Sequence, residues 1–517
     1  MQSALSSPDI LYEIFTQFAK LPHPRYDTLA PPRAELLQAA LTCRIFRKPA
    51  LKALWSRLPS LHHLLRIAAP DYKVIRDDIS KDRWTRFQEY ASWVTVLFVD
   101  YTALRSPILT QICRRVHGRP LLPSLKRLLF VWDREAMSLP PETMILVSPT
   151  LRELHMNLRM AEGNPILPVF LERIATGSPH LMENLSIRFR DIPGQFLMHL
   201  DRFSSLAYLD LKVDDVPGRR VGAQPFFPVL EMRRLETLSV SAELLLALSS
   251  SFVFDSLVEI IIEGPFPLLV PAVARVAAPH LRCLDLHCAG ELSNDVDMLL
   301  GNSLAAVTVD HANLFSFSLH MEEAQVTVQA RDFFKPFSCF FSAKTLSFKY
   351  GGSLLWNDDD ARSIFSSMSG VSDLEIRFNC NPGDSTLTLT GLGILAKVCP
   401  ELDSLRVPIN TRLGEDAQLP PCLSRCALRS LEVVGESIID AYEPARVALF
   451  LDCAFPGLDW CYAKAKNERE GRRWEDVFRI LKLFQHARRV RRASIEDGPS
   501  SSADADDEMT LLDSQYP

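Results

Sequence analysis

Three residues that alternate along one short segment, Cys283, Asp285 and His287, come nearest to a reactive constellation in this 517-residue chain. Side chains two apart in a strand share a face. A thiol, a carboxylate and an imidazole facing outward together are a donor set that suits a transition metal. Such a set is more often the mixed polar surface of a strand, and the expectation is that no metal is bound. His62 and His63 adjoin in a helical segment, point different ways and read as solvated surface. Cys422 and Cys426 flank a turn and read as packing. The chain has no P-loop, no GxGxxG after a strand, no HExxH and no GxSxG, so the motif-borne chemistries of phosphate, dinucleotide, zinc and nucleophilic serine have no foothold. The expectation is a chain that is no enzyme and uses no cofactor.

Composition narrows the partners. Hydrophobic residues make up 47% and charged residues 23%, ordinary for a globular protein, and the net charge of −6 favours neither nucleic acid nor an anionic membrane as partner. The 11 cysteines are scattered without a CxxC pair, which predicts reduced thiols and a cytoplasmic or nuclear location. The opening MQSALSSPDILYEIF lacks a basic region and carries Asp9 and Glu13, unlike a signal peptide. The most apolar long region, Leu257 to Ala278, is broken by Glu259, Glu263, Pro265, Pro267, Pro271 and Arg275, and cannot span a bilayer.

The element that positions any surface residue here is a repeat. The unit L-x-x-L-x-L begins at Leu125, Leu151, Leu206, Leu235, Leu257, Leu281, Leu304, Leu402 and Leu428, with weaker copies at Val94, Met182, Ala343, Val371 and Leu458, at spacings of 22 to 39 residues. Its x-L-x-L part has the period of a strand, aliphatics inward and x residues outward. One unit cannot bury its apolar side, whereas a stack can. Between strands lie helical patterns, as at Val169–Ile174 and Leu392–Val398. The expected fold is α/β: an irregular leucine-rich-repeat solenoid with a curved parallel sheet and helices on the convex side. The pattern resembles leucine-rich repeats closely in period, although the Asn of their ladder turn is mostly missing.

Before the repeats, Ser7-Pro8-Asp9 reads as a helix start. Ile10, Leu11, Ile14, Phe15 and Phe18 fall on one face. A Pro-rich loop follows, from Leu21 to Pro32, then a helix with Leu36, Leu37, Ala40 and Leu41. Pro49 is expected to open a third helix with Leu51, Leu54, Trp55 and Leu58. By periodicity alone these helices are a cap on the next domain. Their residues resemble the F-box, the adaptor-binding module of cullin-RING ubiquitin ligases, and the phrasing is similar to the large F-box family of mushroom-forming fungi. The resemblance covers about Leu5 to Leu58, with Ser7 where the family has Leu and a longer first loop. It rests on Pro8, Asp9, Ile10, Leu11, Ile14, Phe15, Leu37, Leu41, Cys43, Arg44, Phe46, Leu54 and Trp55. It implies that Pro8, Ile10, Leu11, Ile14, Phe15, Leu37, Leu41, Cys43, Phe46, Leu54 and Trp55 bind a Skp-type adaptor, and through it a cullin.

The expected organisation is therefore an F-box-like unit over 1–60, a helical linker over 61–92, the solenoid over 93–465, a capping helix over 466–492 with its core at Glu475–Arg492, and a disordered acidic tail over 493–517. The outward strand positions Tyr208, Asp210, Lys212, Glu259, Glu263, Asp285, His287, Arg377 and Arg406 are the candidate surface for a target protein, with Glu153, His155, Asn157, Lys349 and Glu375 beside them. In the first repeats that face is expected to be apolar, with Val96, Phe98, Leu129 and Val131. The function implied is substrate recognition in an SCF-type ubiquitin ligase. The alternative is a leucine-rich-repeat scaffold outside any ligase.

Overall fold

The computed structural model describes residues 7–19, 30–70, 79–131, 139–158, 166–177, 179–189, 200–213, 232–247, 252–289, 313–322, 326–356, 358–378, 387–409, 411, 426–434, 444–464 and 468–496. The chain packs as two compact units, Met1–Val326 with Asp332–Gly352, and Thr327–Arg331 with Ser353–Pro517.

In the first unit one strand per repeat joins a single parallel sheet in chain order. The strands are Arg57–Leu58, Val96–Asp100, Arg127–Val131, Glu153–Leu158, Asn184–Phe189, Tyr208–Val213, Thr237–Ser241, Glu259–Gly264, Cys283–Cys288, Ser316–Met321 and Thr345–Tyr350. Their register stacks the motif into columns. Leu97, Leu128, Leu154, Leu185, Leu209, Leu238, Ile260, Leu284, Phe317 and Leu346 are successive partners. Two residues on, Val99, Phe130, Met156, Ile187, Leu211, Val240, Ile262, Leu286, Leu319 and Phe348 form a second column. The leading leucines, among them Leu125, Leu151, Leu206, Leu235, Leu257 and Leu281, are buried with them. All are buried, each worth roughly 1.5–3 kcal/mol of transfer free energy.

A backbone feature repeats with them. At most strand entrances one carbonyl accepts from two successive N–H groups of the next repeat. The Arg152 carbonyl takes Glu183 and Asn184, the Glu183 carbonyl Ala207 and Tyr208, and the Val258 carbonyl Arg282 and Cys283, at 2.8–3.1 Å. Both carbonyl lone pairs are thereby used. Because this ladder needs no particular side chain, it runs through repeats that lack the expected Asn. The second unit repeats the device from Ser372, Asp403 and Arg429. Its strands Asp373–Phe378, Ser404–Val407, Ser430–Val433 and Trp460–Ala463 are again parallel and sequential. The expected helices are present at Ile166–Gly177 and Leu389–Val398, and the weaker copies at Val94, Met182, Ala343, Val371 and Leu458 each lead into a strand.

Several expectations need correction. The strand Cys283–Cys288 pairs on one side with Glu259–Gly264 and on the other with Ser316–Met321. The copy expected at Leu304 lies outside the described residues, and it is Leu314, with Phe317 and Leu319, that supplies the next ladder strand. Phenylalanine fills this stretch: Phe317, Phe333, Phe334, Phe337, Phe340 and Phe348 are buried together, with Phe317 and Phe340 stacked at 4.4 Å. Val96 and Phe98 are buried, because the Val96–Asp100 strand is covered on both faces, so they do not form an apolar patch. The side chain of Val131 lies outside the described residues.

At the start of the chain, helices α1 (Pro8–Ala19), α2 (Ala30–Thr42) and α3 (Arg44–Ser56) share their own core of Leu11, Phe15, Leu36, Ala40, Ala50 and Ala53. Pro49 does not open the third helix but lies inside it. At the sixth position its missing N–H leaves the Ile45 carbonyl without its helical donor. Helices α4 (His62–Ala68) and α5 (Lys81–Trp93) follow. The C-terminal helix runs Glu468–Glu496, ending four residues beyond the expected capping helix of 466–492, and buries Trp474, Val477, Leu481 and Gln485. Residues 497–517 of the expected tail and most of the Pro-rich loop lie outside the described residues. Among the described residues no helix is long and apolar enough to cross a membrane.

Candidate functional site

The x positions of the repeats build the open face of each sheet, and their register fixes who neighbours whom. In the first unit one row runs Glu153, Asn184, Tyr208, Thr237, Glu259, Cys283, Ser316 and Thr345. The next runs His155, Ser186, Asp210, Ser239, Ile261, Asp285, Ser318 and Ser347. A third contains Glu263, His287, His320 and Lys349. The face is polar and largely self-paired. Arg127 pairs with Glu153. The Ser186 hydroxyl donates to Asp210 at 2.8 Å, and Thr237 to Glu259 at 3.2 Å. Lys212 reaches across the Thr237–Ser241 strand to Glu263 at 2.8 Å.

Asp285 is the centre of the densest cluster. Its Oδ2 lies 3.1 Å from His287 Nε2 and its Oδ1 3.8 Å from His320 Nε2, while the two imidazoles lie 4.3 Å apart, centre to centre. Burial pushes His320 below the usual histidine range, against the opposing pull of Asp285. Burial likewise depresses His155 and raises Tyr208, the latter also through Asp210 and Glu259. The Cys283 thiol is pushed up, first by burial and then by Glu259. Cys399 and Cys461 are each pushed up to about 12 by burial, and Cys113 to about 11 by burial and Glu142. The thiolate is the nucleophilic form, so these environments deactivate sulfur.

In the second unit Glu375, Arg377, Arg406 and Glu432 form a four-membered network. Arg377 pairs with Glu375, Arg406 Nε lies 3.1 Å from Glu432, and the cross pairs are 3.5 and 3.8 Å. On the next strand Trp460 and Tyr462, about half exposed, stack at 5.9 Å. Their alternation along one strand is the local signal that marks both as outward positions.

Among the residues that the F-box resemblance marks, the geometry separates three groups. Leu11 and Phe15, both implied to bind the adaptor, point into the three-helix core, Phe15 meeting Phe46 edge-on at 5.6 Å. Pro8, Ile10, Ile14, Leu37, Leu41 and Cys43 are exposed. Ile10 with Ile14 and Leu37 with Leu41 are i,i+4 pairs, and Leu41 is 79% exposed. Leu54 is half-buried, as is Trp55, which packs on Tyr90 at 4.6 Å.

His62 is not simply solvated. Its Nε2 lies 3.0 Å from the Thr102 hydroxyl and 3.3 Å from Asp100. Asp100 accepts from Ser60 Oγ at 2.7 Å, Thr102 Oγ1 at 2.6 Å and the Ala103 N–H at 2.8 Å. Burial would raise this carboxyl, but those three bonds and His62 outweigh it and hold it below its ordinary value. The knot ties helix α4 to the first long strand. Cys426 is buried with its thiol directed at the Cys399 carbonyl, 3.4 Å away, as the packing reading expected, while Cys422 lies outside the described residues.

No protein-family model matches the sequence. No curated protein matches it either. Among solved structures the chain is similar to the leucine-rich repeat-containing protein LegL7 from Legionella pneumophila, at 13% identity and a TM-score of 0.33, over 63% of this chain and 96% of that one.

Proposed function

We propose that the chain is the substrate-recognition subunit of a cullin-RING (SCF-type) ubiquitin ligase. Its first three helices act as an F-box on a Skp-type adaptor, and its repeat surface holds a target protein. The observation that carries the reading is the pair of exposed aliphatic stripes, Ile10 with Ile14 and Leu37 with Leu41, on helices that already own a complete core. Large aliphatics beyond what a core needs mark a partner surface. Their positions coincide with the residues that resemble the F-box. The chain itself performs no chemistry. It raises the local concentration of a target lysine near a ubiquitin thioester, which is catalysis by proximity. Cofactors, nucleic acid and membrane have no part in this reading, and its setting is the cytoplasm or nucleus.

The test is co-purification. Ile14→Asp with Leu41→Asp places two charges where the interface would be dry, weakening the adaptor complex by roughly a hundredfold or more. Both side chains are exposed, so the fold is expected to stay intact. Undiminished capture of the adaptor and cullin by the folded double variant refutes the proposal. The second reading, a repeat scaffold with a helical cap, is favoured by one contact, Trp55 on Tyr90. It is the reading that survives if no cullin accompanies the wild-type chain from its cell.

A further inference from the structure

We propose that Asp285, His287 and His320 form a binding site for a divalent transition-metal ion of the zinc, cobalt or nickel class. Two neighbouring strands supply the ligands. Asp285 and His287 are two apart on Cys283–Cys288 and share its open face, and His320 is the direct register partner of His287 on Ser316–Met321. The three donor atoms all lie within 4.8 Å of one another. A tetrahedral ion with bonds of about 2.0–2.1 Å sets its ligand atoms about 3.3 Å apart. Asp285 Oδ2 lies 3.1 Å from His287 Nε2, close to that value, and the other carboxylate oxygen lies 3.8 Å from His320 Nε2.

The remaining features agree. Asp285 turns one oxygen to each histidine, and its Oδ1 is buried with no hydrogen-bond partner, a lone pair whose desolvation a cation would offset. Both strands are held on each side by further parallel strands, so the ligands sit on rigid backbone. Two imidazoles and one carboxylate select zinc-like ions over magnesium or calcium, which prefer all-oxygen shells. The side chains keep 28%, 37% and 18% exposure, which leaves an ion a way in and a fourth position to water or a partner's side chain. The charges beside the site offset each other, since Lys349 is the register partner of His320 and Glu263 that of His287. Cys283, the third member of the set read from the sequence, is not within the cluster. His320 takes its place.

The experiment uses the full chain, stripped with a chelator and titrated with Co²⁺ followed by visible absorption, then with Zn²⁺ by calorimetry and thermal melting. One equivalent is expected to bind with a d–d spectrum of nitrogen and oxygen ligation, and Zn²⁺ is expected to raise the melting temperature. His287→Gln with His320→Gln should weaken that binding by more than about tenfold, since even an outer-shell partner is worth that much. Its melting temperature in chelator should stay near the wild-type value. Equal Zn²⁺ uptake by the folded double variant overturns the site. A measurement on the wild-type chain serves where the variant does not fold: Zn²⁺ should protect His287 and His320 from diethylpyrocarbonate, located by peptide mass spectrometry. Equal modification of both residues with and without Zn²⁺ overturns the site as well.

Discussion

Leu284 and Asp285 are adjacent in sequence and opposite in consequence, which makes them a direct test of the register. Leu284 is 1% exposed and sits in the first apolar column between Ile260 and Phe317. Leu284→Ala removes three buried carbon groups at about 0.8 kcal/mol each, roughly 2.4 kcal/mol of transfer free energy. The flanking strands are fixed by their ladders and cannot close the gap, so a cavity term adds to it and the total falls within about 2–5 kcal/mol. Asp285→Ala removes a part-exposed carboxylate and its contacts with His287 and His320. Partly exposed ion pairs are worth about 0–1 kcal/mol. Urea unfolding in chelating buffer compares the two, with hydrogen exchange read on the strands at 259–264, 283–288 and 316–321. Each repeat is stabilised chiefly by its neighbours, so the leucine variant should lose protection in these three strands first. Equal destabilisation by both variants, or loss of protection spread evenly over the chain, would refute the assignment of inward and outward positions.

Two further outcomes follow from the ionic contacts. The carboxyl of Asp100 lies below its ordinary value in the fold, so its contribution is fully present above the unfolded-state pKa of about 3.9 and is lost as pH falls through the lower folded value. Asp100→Asn should reduce stability at pH 7, and in thermal melts the gap to wild type should narrow as pH falls below about 3.9. A gap that stays constant with pH would exclude the charge as its source. Arg488 binds the buried Asp452 at 2.7 Å and also donates to the Asp452 and Pro456 carbonyls at 3.2 and 3.0 Å. Arg488→Met should cost about 3–5 kcal/mol, because it leaves a buried carboxylate without its cation. Arg488→Met with Asp452→Leu should recover most of that loss, and a double variant no more stable than the single one would contradict this account.

The strands were legible because their signal is local. A period of two with aliphatics at fixed offsets needs nothing from the rest of the chain, so Leu151, Leu281 and Leu428 announced their strands, and Glu259, Asp285 and Arg406 their outward face. The weaker copies at Met182 and Ala343 were legible for the same reason, since what the column requires is an apolar side chain of fitting volume. Neighbourhood across the sheet is not local. His320 is 33 residues beyond His287, and only the register of two strands makes them partners. NSLAAVTV at Leu304 carries the motif in the sequence, whereas the strand that pairs with Cys283–Cys288 carries Phe317 in the leucine position. The division of labour among the N-terminal residues was likewise decided by tertiary packing. Ile14 and Phe15 are about 100° apart on the same helix face, and the crossing of three helices turned Phe15 inward and left Ile14 outside. The carbonyl ladder at the strand entrances has no side-chain signature at all, since every residue but proline has an N–H to donate.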